Sequence, residues 1–259
     1  GEGAPGALQL VGPAAEVDLR NVYLRWQDHW LKGIDNGVEQ DAPIRIFVGL
    51  LNAPTAQQRA QLAVDELRRT GGLDRHVVVV SIPTGNGYVD PFIATAPELL
   101  SDGDVATVAT QYSVLPSWLS FLVDQQAART EADALLSAVT DAIAALPPDR
   151  RPLLVTCGES PGALGDQAPF SGDDPAQVAS RVDAVVWIGS PAASSVWPAW
   201  RDSRASGPPW EPGIGDGSLA RSPVSATSTT WAAPGWQPRR QVVSQHANDP
   251  VSWWTPTLA

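Results

Sequence analysis

From Ile44 onward, apolar and polar positions follow a regular order. Ile44–Leu51 is a short run rich in Ile, Phe and Val and predicts a strand. Thr55–Arg69 reads as a helix: Thr55 with Gln58 makes a capping box, and Arg68, Arg69 and Gly71 mark its end. Val77–Ile82 is apolar without interruption, as expected of a strand buried on both faces. Asp104–Thr110 is another short strand. Thr130–Leu146 sets Leu135, Val139, Ile143 and Leu146 on one helical face and stops at Pro147 and Pro148. Leu153–Cys157, Ala184–Ile188 and Gln241–Gln245 complete the strands. Mostly apolar strands alternating with helices predict an α/β fold, with a mostly parallel sheet and helices on both of its faces.

Two regions break this order. Residues 1–43 are rich in Gly, Ala and Pro and then locally amphipathic through Val22, Leu24, Trp26, Trp30 and Leu31. They read as a linker or N-terminal arm, which leaves 44–259 as the main domain. Residues 201–240 hold many Pro, Gly and Ser together with Trp210, Trp231 and Trp236. A loop of that length is uncommon in a compact domain. It reads either as an irregular surface excursion or as a lid or pocket wall.

Composition then removes several function classes. With 17 basic and 28 acidic residues the formal charge is −11, which argues against nucleic acid as a partner and against anionic lipid. A single cysteine, Cys157, allows neither an internal disulfide nor a cysteine zinc site, and it is most simply a small core residue. Only His29, His76 and His246 are present, far apart, so no metal site is expected. No stretch is long and apolar enough to span a bilayer. The chain contains no methionine and reads as a mature or excised segment of something longer.

The chemistry points to one segment. Leu153-Leu-Val-Thr-Cys is followed by Gly158-Glu-Ser160-Pro-Gly162 and then the small residues Ala163, Leu164 and Gly165. An apolar strand, then G-x-S-x-G, then a close-packing helix is the pattern of a nucleophile elbow, which lifts a serine above the carboxyl end of a sheet. A serine nucleophile needs a base and an orienting acid. Asp249 follows the last strand, where an orienting acid is expected, although a turn or cap aspartate ahead of Pro250 has the same appearance. His246 is the only histidine after Ser160. It is a candidate base, yet it precedes the acid by three residues rather than following it on a later loop.

An oxyanion also needs N–H donors. Thr84, Gly85, Asn86 and Gly87 follow the Val77–Ile82 strand and suit that task. The same loop resembles a phosphate cradle but lacks a full glycine-rich phosphate motif. The second donor normally comes from the residue after the nucleophile. Here that residue is Pro161, which has no N–H, and this argues against ordinary serine hydrolase chemistry. Gln111-Tyr112-Ser113 could line a pocket at a strand end, while Trp118 and Phe121 read as packed side chains.

Taken together, several segments resemble the actinobacterial α/β-hydrolase catalytic-domain family that follows an N-terminal membrane-spanning region. The resemblance runs from about Ile44 to Trp254. It is carried by Ile44-Arg-Ile-Phe-Val-Gly-Leu, Glu66-Leu-Arg-Arg-Thr-Gly-Gly-Leu-Asp, Pro83-Thr-Gly-Asn-Gly-Tyr-Val-Asp-Pro91 and the Gln111–Asp124 segment, with Gly158-Glu-Ser-Pro-Gly-Ala-Leu-Gly165 and Gln245-His-Ala-Asn-Asp-Pro250. It implies an α/β-hydrolase-like fold, Ser160 as nucleophile, no cofactor, and a parent protein anchored in the membrane of a cell envelope. Relatives carry a non-proline residue, often Leu, where this chain has Pro161. They also continue past the equivalent of Ala259 to a further histidine.

These readings lead to a serine-dependent esterase, lipase-like hydrolase or acyl transferase acting on acyl esters, with cell-envelope lipids as the expected substrate class. The alternative is a weakened or inactive α/β-hydrolase-fold binding module for an apolar envelope ligand.

Overall fold

The computed structural model describes residues 42–232 and 234–253, with Leu24, Gln27, Asp28 and residues 31–34. The arm side chains Val22, Trp26 and Trp30, and His29, lie outside the described residues. Seven parallel strands form one sheet in the order β1-β3-β2-β4-β5-β7-β6. They are β1 (Ile44–Val48), β2 (Val77–Ile82), β3 (Val105–Thr110), β4 (Leu153–Glu159), β5 (Ala184–Ile188), β6 (Ala220–Arg221) and β7 (Gln241–Ser244). Between them run helices α1 (Ala56–Arg69), α2 (Pro91–Leu100), α3 (Ser117–Val123), α4 (Gln125–Ala144), α5 (Pro161–Asp166), α6 (Pro175–Arg181), α7 (Trp197–Asp202), α8 (Thr229–Ala232) and α9 (Pro250–Trp253).

One face of the sheet carries the main core. Ile46, Val78, Val80, Val108, Leu154, Val185, Trp187 and Val243 point into it, against Leu67 of α1 and Leu135 and Val139 of α4. Thr55 caps α1 by accepting from Gln58 N at 3.2 Å. Helices α1 and α4 are joined by a buried two-pronged pair between Arg59 and Glu131, at 2.9 and 2.5 Å. Such pairing is what makes a buried charge tolerable. Trp187 lies at the centre of an aromatic row, 6.0 Å from Phe170 and 5.6 Å from Trp200.

The opposite face is covered by α2 near β3, where Ile93 joins Val79, Val105 and Cys157. Asp90 caps α2 through Phe92 N at 2.8 Å, and Glu98 pairs with Arg45 of β1. Cys157 is buried, and that burial pushes its thiol up to about 12, so it is an inert core residue.

The excursion at 201–240 is organised from within. Arg221 is buried and donates to the carbonyls of Gly217, Thr230, Trp231 and Pro234, while its guanidinium lies 4.2 Å from the Trp236 ring centre. Trp231 and Trp236 pack on each other at 5.8 Å. Hydrogen bonds of residues 205–238 close within the segment and on the start of β7. The segment thus builds the β6 edge of the sheet.

Candidate active site

The turn at Ser160 follows from sterics. Strand β4 ends at Glu159 and α5 begins at Pro161, so Ser160 must reverse the chain in one residue. It does so at φ 55° and ψ −119°, a conformation that costs a side-chain-bearing residue about 1–3 kcal/mol. Its N–H donates to Ile188 O of the neighbouring strand at 2.8 Å, and its carbonyl accepts from Leu164 N at 3.1 Å. Both flanking glycines are obligatory. A Cβ on Gly158 would lie 2.5 Å from the Gly162 carbonyl carbon. One on Gly162 would overlap the Ile82 carbonyl oxygen and come within 2.9 Å of that of Pro83. The elbow is therefore pressed directly against the start of the loop after β2.

That loop is held in shape by its own groups. Thr84, buried, accepts Gly87 N at its carbonyl and donates through both N–H and hydroxyl to Tyr88 O, at 2.9 and 3.2 Å. Asn86 Oδ1 accepts from Tyr88 N at 3.2 Å. Gly87 has φ +91°, and a Cβ on Gly85 would lie 2.7 Å from Leu115 O, so each glycine answers a distinct constraint. Among the described residues the N–H groups of Gly85 and Asn86 have no acceptor. Pro161 is buried at the first position of α5 and offers no N–H.

Behind the elbow, Asp166 fixes α5 to the sheet. Its carboxyl accepts from Thr156 Oγ1 of β4 and, at 2.7 Å, from Trp187 Nε1 of β5. Among the described residues no cation pairs with it, and burial raises it to about 7, opposed by those two hydrogen bonds. The unfolded carboxyl ionises near its ordinary ~3.9. Between the two values the folded state holds a proton that the unfolded state has lost. This contribution is thus fully present below about pH 4 and is lost as pH rises through about 7. Asn in its place keeps an acceptor for Trp187 and a partner for Thr156 without the charge. The stability difference between wild type and Asp166→Asn should therefore swing by roughly 3 kcal/mol against wild type between about pH 5 and about pH 8, measured by urea unfolding. A parallel pair of pH profiles would refute this.

Asp249 lies beyond β7, where α9 starts. Its Oδ1 accepts Val251 N at 2.9 Å, so it is also the helix cap, and its Oδ2 lies 3.7 Å from where a Cβ on Gly189 would sit. Since Gly189 directly follows β5, the carboxylate leans from β7 toward the elbow strand. Ser252 Oγ reaches Oδ2 at 3.1 Å and Gln245 Oε1 at 2.7 Å. Gln245 Nε2 donates to Ser190 O, and Ser190 Oγ accepts from Gln167 Nε2 at 2.9 Å. This buried polar chain leads from Asp249 to the end of the elbow helix. None of its links is visible in sequence, where Gln167, Gln245 and Ser252 are polar residues in unremarkable contexts.

His246 lies two residues past β7, on the same carboxyl edge, with an exposed ring. Its carbonyl accepts from Asp249 N at 3.2 Å, but among the described residues no hydrogen bond joins its ring to Ser160 or to Asp249. His76 precedes β2 and so lies at the opposite edge. Glu159 is half-buried, and burial followed by the charge of Asp90 raises its carboxyl above the ordinary value. Trp118, expected to pack, is 67% exposed, while Phe121 packs on the core. Within the seven-residue α3, Ser120 is the one fully buried residue and Phe121 packs against the core.

A parallel sheet, a strained serine between a strand and a helix, and two glycines whose hydrogens alone fit are together on one edge. A family model described as alpha/beta-hydrolase family matches residues 44–259. The chain belongs to this alpha/beta-hydrolase family. No curated protein matches it. In this α/β-hydrolase the elbow is the turn after β4, and the loops after β2, β5 and β7 surround it. Among the described residues no helix is long and apolar enough to cross a membrane.

Proposed function

We propose that this α/β-hydrolase is a serine-dependent esterase or acyl transferase acting on acyl esters, with Ser160 as the nucleophile. The observation that carries the reading is the Ser160 backbone, φ 55° and ψ −119°, held between two glycines that tolerate no side chain. Strain of this kind at a reactive residue type in a hydrolase fold supports a catalytic rather than a structural role.

Ser160 Oγ attacks the acyl carbon while its proton passes to a histidine, His246 or one later in the parent chain. The carbonyl oxygen gains the negative charge and is met by the N–H groups of Gly85 and Asn86. Collapse of the tetrahedral intermediate breaks the ester C–O bond, and the histidine returns the proton to the leaving alcohol. Water or another alcohol then takes the acyl group from Ser160 by the reverse sequence. Asp249 orients the base and is itself held by Ser252. Pro161 favours a second reading, a binding module with a weakened centre, because the residue after the serine offers no N–H.

The test is intact-mass labelling with a fluorophosphonate, followed by peptide mapping. A single adduct on Ser160 is expected. Loss of that adduct in His246→Ala would make His246 the base, whereas undiminished labelling of that variant would place the base elsewhere. No adduct, or one on another residue, would leave the binding module as the better account.

A further inference from the structure

Among the described residues, eight large apolar side chains are at least 60% exposed. Six of them sit at one end of the sheet: Leu51, Phe92, Val114, Trp118, Leu122 and Val123. They belong to the segments that leave the carboxyl ends of β1, β2 and β3, which are adjacent in the sheet. Isolated exposed apolar residues are ordinary, but a concentration of this kind marks an interaction surface.

This surface is built rather than loose. The Gln111 side chain ties its three segments together: Oε1 accepts Leu50 N at 3.1 Å, and Nε2 donates to Asn86 O and Ser113 O, both at 2.9 Å. It is also continuous with the site. Helix α3, which carries Trp118, Leu122 and Val123, packs directly on Gly85, where an added Cβ would lie 3.1 Å from Ser117 Cα.

Charge then selects the partner. Residues 49–56, 83–92 and 111–123 contain one charged side chain, Asp90, and its carboxylate is engaged in capping α2. The whole chain carries −11, so an anionic surface would repel it while an uncharged one would not. Trp and Phe at such a rim suit the boundary between water and acyl chains. We propose that this end of the molecule seats on a neutral lipid–water interface, and that the ester reaches Ser160 from an aggregated lipid phase. The docking stands on the surface alone, whereas the delivery of an ester rests on the function proposed above.

The test uses the full chain and the double variant Phe92→Asp/Trp118→Asp in flotation with phosphatidylcholine vesicles and with vesicles half phosphatidylglycerol. Rates on a short, fully dissolved ester and light-scattering masses accompany it. Wild type should float with the neutral vesicles and less with the anionic ones. The double variant should lose about tenfold or more of that binding, with an unchanged rate on the dissolved ester and an unchanged melting temperature. No flotation of wild type, stronger flotation with the anionic vesicles, or undiminished binding by the variant would each overturn the proposal. So would a wild-type dimer that the variant dissociates and that binds neither vesicle, because the surface would then be covered by a second copy. Vesicle binding without any turnover of the dissolved ester would remove the ester reading and leave the docking intact.

Discussion

Ser160→Gly should abolish ester turnover and raise the stability of the protein. The two effects come from the same geometry. At φ 55° and ψ −119° a Cβ is a liability, and glycine removes it. Relief of a conformation of this kind is worth about 1–2 kcal/mol, reduced somewhat because glycine also gains freedom in the unfolded chain. Ser160→Ala keeps the Cβ and should leave stability nearly unchanged. Both variants lose the proposed attacking oxygen, so both should fall by about 10³-fold or more in kcat, with fluorophosphonate labelling gone. Paired denaturant curves and ester kinetics on the three proteins check this. If Ser160→Gly is no more stable than Ser160→Ala, the strain does not exist. If either variant retains wild-type turnover, the nucleophile is elsewhere. The pattern of greater stability with lost activity is what separates a reactive elbow from a merely structural turn, and the binding-module reading predicts only the first half.

How far this could be read beforehand varies with the kind of physics involved. Six of the seven strands were legible from their short apolar stretches, and Val77–Ile82 and Ala184–Ile188 have the expected bounds, whereas β6 is two residues, Ala220 and Arg221, inside the 201–240 excursion and is defined only by its pairing with β7. Strand β4 runs on to Glu159, two residues further than its apolar run suggests, because Gly158 and Glu159 still pair with β5. Helix α4 begins at Gln125 rather than Thr130: its first turn is Gln, Gln, Ala, Ala, good helix formers with no apolar stripe to count. Helix α2 went unread because Pro97 lies inside it, although Asp90 before Pro91 is an N-terminal signal. The crossing by which β3 lies between β1 and β2 is a choice among topologies that no local pattern encodes.

The site divides in the same way. The elbow and its loop were visible because glycines at fixed spacing report backbone constraints directly. Asp166, Gln167 and Gln245 were not, because a buried polar side chain is recognised only by the partner that satisfies it, and those partners come from other strands and loops. The exposure of Trp118 was hidden for the converse reason. Apolar spacing shows that a short helix has an inward face, not how many of its apolar residues the neighbours can cover.

The second large effect concerns Gly162. Its backbone needs no left-handed conformation, so an argument from dihedral angles alone would expect Gly162→Ala to be mild, even favourable inside a helix. The structure says otherwise. The new methyl would overlap Ile82 O and lie 2.9 Å from Pro83 O, and both neighbours are backbone atoms at the end of a central strand. They cannot rotate away. Relief requires α5 to lift from β2, which strips the cover from Ala163 and Leu164, both buried, and strains the Asp166 bonds to Thr156 and Trp187. Overpacking against fixed backbone costs about 3 kcal/mol or more. Gly172→Ala supplies the contrast: Gly172 has φ +87° but open space around it, so its cost should be the conformational one, about 1 kcal/mol. Urea midpoints should therefore rank wild type, then Gly172→Ala, then Gly162→Ala well below. Any Gly162→Ala protein that folds should label slowly with fluorophosphonate, because the same displacement carries Ser160 away from the N–H groups of Gly85 and Asn86. A Gly162→Ala protein as stable as Gly172→Ala would mean that the elbow is not pressed against the β2 loop, and the proposed oxyanion donors would lose their position with it.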